Sequence, residues 1–244
     1  ALVDDRFKFP YVSVFGFDIY QIAYNYERVP AAAAPTVWED LADPRWAGKL
    51  LMRSPGSDLM AWIWMALERR HGEEKAWEYM LEMFRNAKLW AATVGEVVQA
   101  LSLGEVVVGP ASIGHIMLAT KQAGGTVIAS VPARDPILML NGLGIIKNGP
   151  SRELAEKFID FFLDTYVQDF IMNRAGTSLA VNRSVKLTNE DFVRIGLGGT
   201  PVDEVLKRAF LPDWTYWTEL DASGRTRLGK LSAEMDARAK GIRR

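Results

Sequence analysis

Polar side chains able to bind a small molecule occur in three short segments of this sequence, each close behind an apolar run. The segments contribute Ser54, Ser57 and Asp58, then Trp90 and Thr93, then Ser112 and His115. Hydroxyl groups, an imidazole and the backbone N–H groups at a helix start bind oxygen-rich solutes, and an indole ring stacks on a flat ligand. We therefore predict that these residues form a ligand-binding site.

Each of these residues also has a purely structural explanation, and the sequence leaves both open. Serine and aspartate are preferred where helices begin, and Thr93 forms a capping box with Glu96. Burial in a core explains Trp90 equally well, and hydrogen bonds within a loop explain His115. Asp58 adds a further choice, because a carboxylate that faces the ligand repels an anion and favours a cationic or amine-bearing solute.

The sequence carries no recognisable catalytic motif. Gly142-Leu143-Gly144 follows an apolar run but lacks the third glycine and the helix start of a dinucleotide-binding loop. It has no phosphate-binding Gly-Lys-Ser/Thr loop, no serine elbow and no His-Glu-x-x-His zinc helix. Because there are 2 histidines and no cysteine, we predict no catalytic residues, no metal ligands and no cofactor.

Composition narrows the possible partners. The 244 residues are 49% hydrophobic and carry a formal net charge of -1, so the chain offers no basic surface for nucleic acid. Every apolar run is interrupted by charges, Gly or Pro well before the roughly 18 residues that a membrane-spanning helix needs. The absence of cysteine suits an oxidising compartment.

The polar segments lie on alternating strands and helices, which predicts an α/β fold. Apolar and β-branched runs predict strands, and apolar residues at helical spacing predict helices. The predicted strands cover 9–25, 50–52, 105–109, 127–131 and 137–140, and the predicted helices cover 59–71, 73–85, 93–103, 154–162 and most of the tail from 201. Thr36 with Glu39, and Asp43 before Pro44, predict two short helical turns after a proline-bounded bridge at 30–35.

Several motifs, in this order, resemble those of one protein family. The chain reads Tyr24-Asn25, then PTVWEDLADPRWAGK over 35–49, GEEKAW over 72–77, GEV over 104–106 and NGLGIIKNGP over 141–150. This pattern resembles bacterial extracellular solute-binding proteins, the ABC-transporter receptors for ferric iron, polyamines, phosphonates and similar solutes.

The resemblance implies two α/β lobes of the type II periplasmic-binding-protein fold, with mixed sheets flanked by helices and with crossing strands between the lobes. It also implies that a small polar solute binds between the lobes and is delivered to an ABC-transporter permease. The three polar segments would then face the cleft, and Tyr24 and Asn141 would lie at the hinge. The implied protein is a monomer in the periplasm, or extracellular and tethered to a membrane.

The crossing motif stands near the start of the chain, which predicts that the first half of lobe one is absent. We predict four parts. Residues 1–30 are a remnant of lobe one with the hinge strand, 31–132 are lobe two, 133–190 return through the hinge to a strand and helix of lobe one, and 191–244 form a helical segment.

Other functions stay open at this point. The iron-binding branch of the family has two adjacent tyrosines where this chain has Gly114-His115, so a ferric site here would need ligands other than tyrosine. An enzyme or a ligand-sensing domain built on the same fold is the alternative from a different class.

Overall fold

The computed structural model describes residue 9, residues 11–122, residue 124, residues 128–131 and residues 134–242. Its strands are β1 (Ser13–Asn25), β2 (Leu50–Arg53), β3 (Ala87–Ala91), β4 (Val108–Ser112), β5 (Ile128–Val131), β6 (Ile137–Leu143) and β7 (Leu179–Ala180). They form one mixed sheet in which the order is β3-β2-β4-β1-β5, and β6 and β7 both pair with β1. The predicted mixed α/β architecture is confirmed.

The α-helices are α1 (Asp58–His71), α2 (Glu73–Asn86), α3 (Val94–Ser102), α4 (Ile113–Gln122), α5 (Arg152–Leu163), α6 (Thr165–Asp169), α7 (Val202–Arg208), α8 (Trp214–Thr218) and α9 (Arg227–Lys240). Some of them pack on the two faces of the sheet, and the last ones pack on α1. Leu50 and Met52 of β2 pack with α1 and α2 on one face, whereas Leu51 packs with α3 and α4 on the other. Among the described residues, no helix is long and apolar enough to cross a membrane.

The long strand β1 belongs to two groups of strands. Its second half pairs antiparallel with β4 and β5, and its first half pairs antiparallel with β6 and β7. Almost every residue of β1 is buried, which explains why its sequence is nearly continuous in apolar and aromatic residues. β1 and β6 therefore connect the part of the sheet that packs against α1, α2, α3 and α4 with the region that contains α5, α6 and β7.

The C-terminal helices cover α1. The stretch 59–67 of α1 is buried on all sides, because the sheet lies against one side and the last helices of the chain against the other. The indole rings of Trp62 and Trp214 meet edge to face at 5.8 Å, and Leu231 and Met235 of α9 belong to the same core. The helical tail is thus part of the core that supports α1.

The apolar side of α5 faces solvent in the described structure. Leu154, Phe158 and Phe161 recur at helical spacing and are exposed, and none of the residues of α5 is buried. The opposite side carries an exposed ion pair between Arg152 and Glu156, and a second pair between Lys157 and Glu153 flanks the apolar side. The predicted amphipathic helix is present.

The structure differs from the sequence prediction in several details, among them the strands β3 and β7, which were not predicted. The carboxylate of Asp40, not Glu39, accepts hydrogen bonds from the N–H groups of Thr36 and Val37, because Glu39 instead pairs with Arg70. β4 covers 108–112 instead of the predicted 105–109, and its whole length pairs with β1. Residues 10 and 127, at the predicted strands 9–25 and 127–131, lie outside the described residues.

Replacing Gly109 with Ala should destabilise the fold by about 1–3 kcal/mol, because the added methyl group would overpack the contact between β4 and β2. A Cβ atom built at Gly109 would lie 2.5 Å from the carbonyl oxygen of Leu51, where β4 approaches β2. Urea unfolding measures the loss. Gly95→Ala in α3 is the matched control, because its Cβ would have room and should change stability little or raise it slightly. Equal stability of the two variants would contradict this packing.

Candidate functional site

Three parallel strands end at one edge of the sheet, and a helix begins close behind each of them. β2 is parallel to both β3 and β4, so their last residues, Arg53, Ala91 and Ser112, lie along the same edge. We call this edge the carboxyl edge. Loops at the carboxyl ends of parallel strands are where open α/β sheets bind ligands. The three polar segments predicted from the sequence all lie at this edge.

The start of α1 offers unused hydrogen-bonding groups at the carboxyl edge. Ser57 is the N-cap residue of α1, but its side chain makes no capping bond, and its Oγ is buried without a partner in the described part of the chain. Arg53 donates from Nη2 to the carbonyl oxygen of Ala92 at 3.0 Å, while its buried Nε has no partner among the same residues. Ser54 joins the ends of β2 and β3 through its N–H to Ala91 at 3.0 Å.

The start of α3 is closed by its own side chains. The Oγ1 of Thr93 accepts the N–H of Glu96 at 3.2 Å, and the carboxylate of Glu96 accepts the N–H of Ala92 at 2.7 Å. The first bond is that of the capping box predicted from the sequence, but the Glu96 carboxylate accepts the N–H of Ala92 instead of the N–H of Thr93. The hydroxyl of Thr93 and the carboxylate of Glu96 are thus both used as acceptors for N–H groups at the start of α3.

Replacing Thr93 with Ala should lower the free energy of unfolding by about 1 kcal/mol, because the N–H of Glu96 loses its partner. Urea unfolding measures the loss, and an unchanged free energy of unfolding would mean that Thr93 does not cap α3.

The start of α4 is capped by a side chain from β1. Asp18 of β1 accepts hydrogen bonds from the hydroxyl of Ser112 and from the N–H groups of Ile113 and Gly114. Its carboxylate also accepts its neighbour's N–H at 2.9 Å. The negative charge thus lies at the positive end of the helix dipole. Of the three helix starts at the carboxyl edge, only that of α1 has no side-chain cap among the described residues.

Burial shifts the protonation of three side chains beside α4. The pKa of Asp18 is raised to about 7, because desolvation raises it more than the hydrogen bonds to the carboxylate lower it. Burial, together with the charge of Asp18, raises the pKa of Tyr20 to about 12. Burial and the positive charge of Arg53 lower the pKa of His115 to about 4, so His115 is neutral at physiological pH. The edge therefore carries a permanent cation in Arg53 and a carboxyl that titrates near neutrality.

Hydrogen bonds favour one tautomer of His115. Its Nδ1 accepts the N–H of Ser112 at 3.4 Å, and its own N–H donates to the Oγ of Ser112 at 3.3 Å. The ring packs edge to face with Tyr20, with centroids 5.8 Å apart. Because Nδ1 accepts, the proton lies on Nε2, which makes His115 a hydrogen-bond donor rather than a metal ligand in this arrangement.

Two predicted site residues, Trp90 and Tyr24, lie away from this group. Trp90 packs on Phe84 at 5.4 Å and donates its indole N–H to the Phe84 carbonyl, which fits the core explanation. Tyr24 pairs with Val108 at the opposite end of β4, about 13 Å along β1 from Tyr20. The structure therefore does not bring Trp90 or Tyr24 together with Ser112.

The remaining two have distinct surroundings. Asn141 of β6 pairs with Gly16 and donates to the hydroxyl of Ser178 at 3.2 Å, and that hydroxyl donates to the carbonyl of Phe17 at 3.0 Å. Asn141 thus stabilises the part of β1 that precedes Asp18, away from the carboxyl edge. Asp58, the first residue of α1, is exposed to solvent.

Sequence reasoning missed Asp18, Tyr20 and Arg53. Asp18 is the only charged residue in the strand sequence SVFGFDIYQIAYN, and a carboxylate in a buried strand needs partners. Arg53 ends the apolar strand Leu50–Arg53, directly before the first polar segment. Both signals were present in the sequence, whereas the contact between Asp18 and α4 depends on the pairing of distant strands.

No group of three or more His, Cys, Asp or Glu side chains in the described ranges could hold a metal ion. Two surface grooves lie elsewhere. One of about 310 Å³ is formed by the segment 187–199, and one of about 520 Å³ lies between α2 and α9. Neither contains a residue of the carboxyl edge.

Comparison with known sequences gives one family and one curated relative. A family model described as bacterial extracellular solute-binding protein matches residues 2–191. "Iron uptake protein A1" of Synechocystis sp. is 26% identical over 161 residues, which are 62% of this chain and 44% of that protein. The chain thus spans less than half the length of this relative.

Comparison with solved structures gives the fold. An ABC transporter structure from Clostridium perfringens is 18% identical with a TM-score of 0.71, and apo ferric ion-binding protein A from Pasteurella haemolytica is 14% identical with a TM-score of 0.73. Each alignment covers 99% of this chain and 73% of the other. At these identities the likeness shows the type II periplasmic-binding-protein fold, as predicted, and no more.

Proposed function

Since the chain belongs to the bacterial extracellular solute-binding protein family, we propose that its carboxyl edge is one wall of a solute-binding cleft. In this proposal the protein acts outside the cytoplasm, in the periplasm or tethered to the membrane surface, and delivers the solute to an ABC-transporter permease. The family and fold are those of binding proteins, and the proposal includes no catalytic step.

We propose further that the solute presents an anionic oxygen group to the start of α1. The observation that carries this is the set of unused donors at the carboxyl edge, namely the Oγ of Ser57 at the start of α1 and the Nε of Arg53 at the end of β2. The positive end of the α1 dipole and the charge of Arg53 both favour an anion, and an arginine hydrogen-bonds an oxyanion strongly. Asp58 is exposed, so solvent and salt screen its charge.

The other two helix starts support the same choice. Glu96 and Asp18 already place a carboxylate at the starts of α3 and α4. A second anion there would meet like charge, whereas an N–H or ammonium group of the solute would not. The proposed solute is therefore a small oxyanion.

Thermal unfolding in the presence of defined compounds tests this proposal. Sulfate, phosphate and methylphosphonate at 10 mM should raise the melting temperature by a few degrees, relative to sodium chloride at equal ionic strength. Ser57→Ala should reduce that stabilisation, and Thr93→Ala should not. Stabilisation by ethanolamine but not by the oxyanions would contradict the anionic class.

Ferric iron is a second candidate, and the names of the relatives favour it. The iron uptake protein and the ferric ion-binding protein are both described by that metal. Ferric ion prefers hard oxygen donors such as phenolate and carboxylate. Beside Asp18 the chain offers Tyr20, whose raised pKa of about 12 opposes a phenolate. Stabilisation by ferric citrate beyond that by citrate alone would favour iron over a simple oxyanion.

A further inference from the structure

Asp18 lies at a break in the pairing of β1. Along one side of β1, Gly16 and Phe17 pair with β7, and pairing resumes at Tyr20 with β4. The first turn of α4 fills the interval, with the N–H groups of Ile113 and Gly114 donating to the Asp18 carboxylate. Asp18 is 8% exposed, so these bonds are shielded from water.

The same turn of α4 carries two side chains of the candidate site. The hydroxyl of Ser112 donates to Asp18, and its Oγ accepts the N–H of His115. The N–H of Ser112 in turn donates to Nδ1 of His115. A chain of hydrogen bonds thus runs from Asp18 through Ser112 to the imidazole ring of His115.

We propose that Asp18 is a positioning residue, which holds the first turn of α4 against β1 and so fixes the orientation of Ser112 and His115 at the carboxyl edge. Its importance for binding rests on the proposed function. The link between Asp18 and His115 does not, because it is made entirely within this chain.

The link should respond to pH. The charge of Asp18 acts on Tyr20 of β1, and the charge of Arg53 on β2 acts on both Tyr20 and His115 of α4. The pKa of Tyr20 is about 12 and that of His115 is about 4, so neither group titrates near pH 7. A change at His115 near pH 7 would therefore report the ionisation of Asp18, whose pKa is raised to about 7.

Nuclear magnetic resonance of the imidazole nitrogens tests the proposal, because the chain has only 2 histidines. In the wild-type chain His115 should show the Nε2–H tautomer and a chemical-shift inflection near pH 7, although its own protonation occurs near pH 4. In Asp18→Asn that inflection should disappear. In Asp18→Ala the single tautomer should be lost. The signals of His71, at the end of α1, should stay the same in all variants and serve as the check of folding.

Asp164→Asn is the matched control, because Asp164 also caps a helix, at the exposed start of α6. It should leave His115 unchanged. An inflection near pH 7 that persists in Asp18→Asn would overturn the proposal, and that variant decides the question even if Asp18→Ala fails to fold.

Sulfate titration forms the second arm. At pH 8, Asp18→Ala should bind sulfate at least fivefold more weakly than Asp18→Asn, which keeps an acceptor oxygen for α4. Equal affinities, with His115 released in Asp18→Ala, would overturn the role of Asp18 in binding. No sulfate binding by the wild-type chain would instead contradict the proposed anionic solute, and the histidine signals would still decide the link.

Discussion

Replacing Arg53 with Ala should weaken sulfate binding roughly 10- to 100-fold. A hydrogen bond to a charged group contributes about 1.5–3 kcal/mol, and each 1.4 kcal/mol is a factor of ten in affinity. Arg53 is the cation at the carboxyl edge, and its Nε is buried without a partner in the part of the chain that the structure describes. Isothermal titration calorimetry measures the change directly.

Arg28→Ala is the matched control for Arg53→Ala. Like Arg53, Arg28 donates to a main-chain carbonyl, that of Gly104 at 3.0 Å. Arg28 follows Asn25, the last residue of β1, and is not part of the carboxyl edge. Its loss should leave sulfate affinity within twofold. Arg53→Lys should recover part of the affinity, since it keeps the charge without the planar fork of donors. Undiminished binding in a folded Arg53→Ala chain would rule out this site for the anion.

Asp18 and His115 should give the stability of the fold two opposed dependences on pH. The folded-state pKa of Asp18 is raised from 3.8 to about 7, so the stability it contributes is present below 3.8 and lost as pH rises to 7. The folded-state pKa of His115 is lowered from 6.5 to about 4, so its contribution is present above 6.5 and lost as pH falls to 4. Each slope is about 1.4 kcal/mol per pH unit, and between pH 4 and 6.5 they cancel.

Single substitutions should expose each slope. The free energy of unfolding of Asp18→Asn, relative to wild type, should rise by about 4 kcal/mol between pH 4 and 7. That of His115→Asn should fall by about 3 kcal/mol between pH 4 and 6.5. Urea unfolding at half-unit pH steps measures both differences, and pH effects from the rest of the chain drop out of them. Differences that do not change with pH would mean that neither group is desolvated as the structure indicates.

The sequence predicted those elements whose signals are local. The cap that Thr93 forms with Glu96, the cap of Asp43 before Pro44 and the amphipathic helix around Phe158 all depend on residues close together in the chain, and each is present. The resemblance to the solute-binding family implied that the three polar segments face one cleft, and the parallel strands β2, β3 and β4 place all three segments at the carboxyl edge.

Long-range contacts explain what the sequence did not predict. Asp18 meets α4 only because β1 pairs with β4 in one register, with Tyr20 opposite Ser112. The same register places Tyr24 opposite Val108, at the other end of β4. The Tyr24-Asn25 motif, which resembles the family pattern, therefore does not lie at the carboxyl edge. Glu39 leaves its expected cap because Arg70 lies within hydrogen-bonding distance, at 2.9 Å. The assignment of site residues, and the division of the chain into four parts, stay predictions.

The central claim is that an oxyanion binds at the start of α1, and a sulfate titration followed by backbone amide resonances tests it most directly. The N–H groups at 57–60 and the guanidinium of Arg53 should shift progressively with sulfate, with a saturation curve that sodium chloride at equal ionic strength does not reproduce. The N–H groups at the starts of α3 and α4 should shift much less, because Glu96 and Asp18 already bind there. Saturable shifts at 113–116 with none at 57–60 would contradict the account.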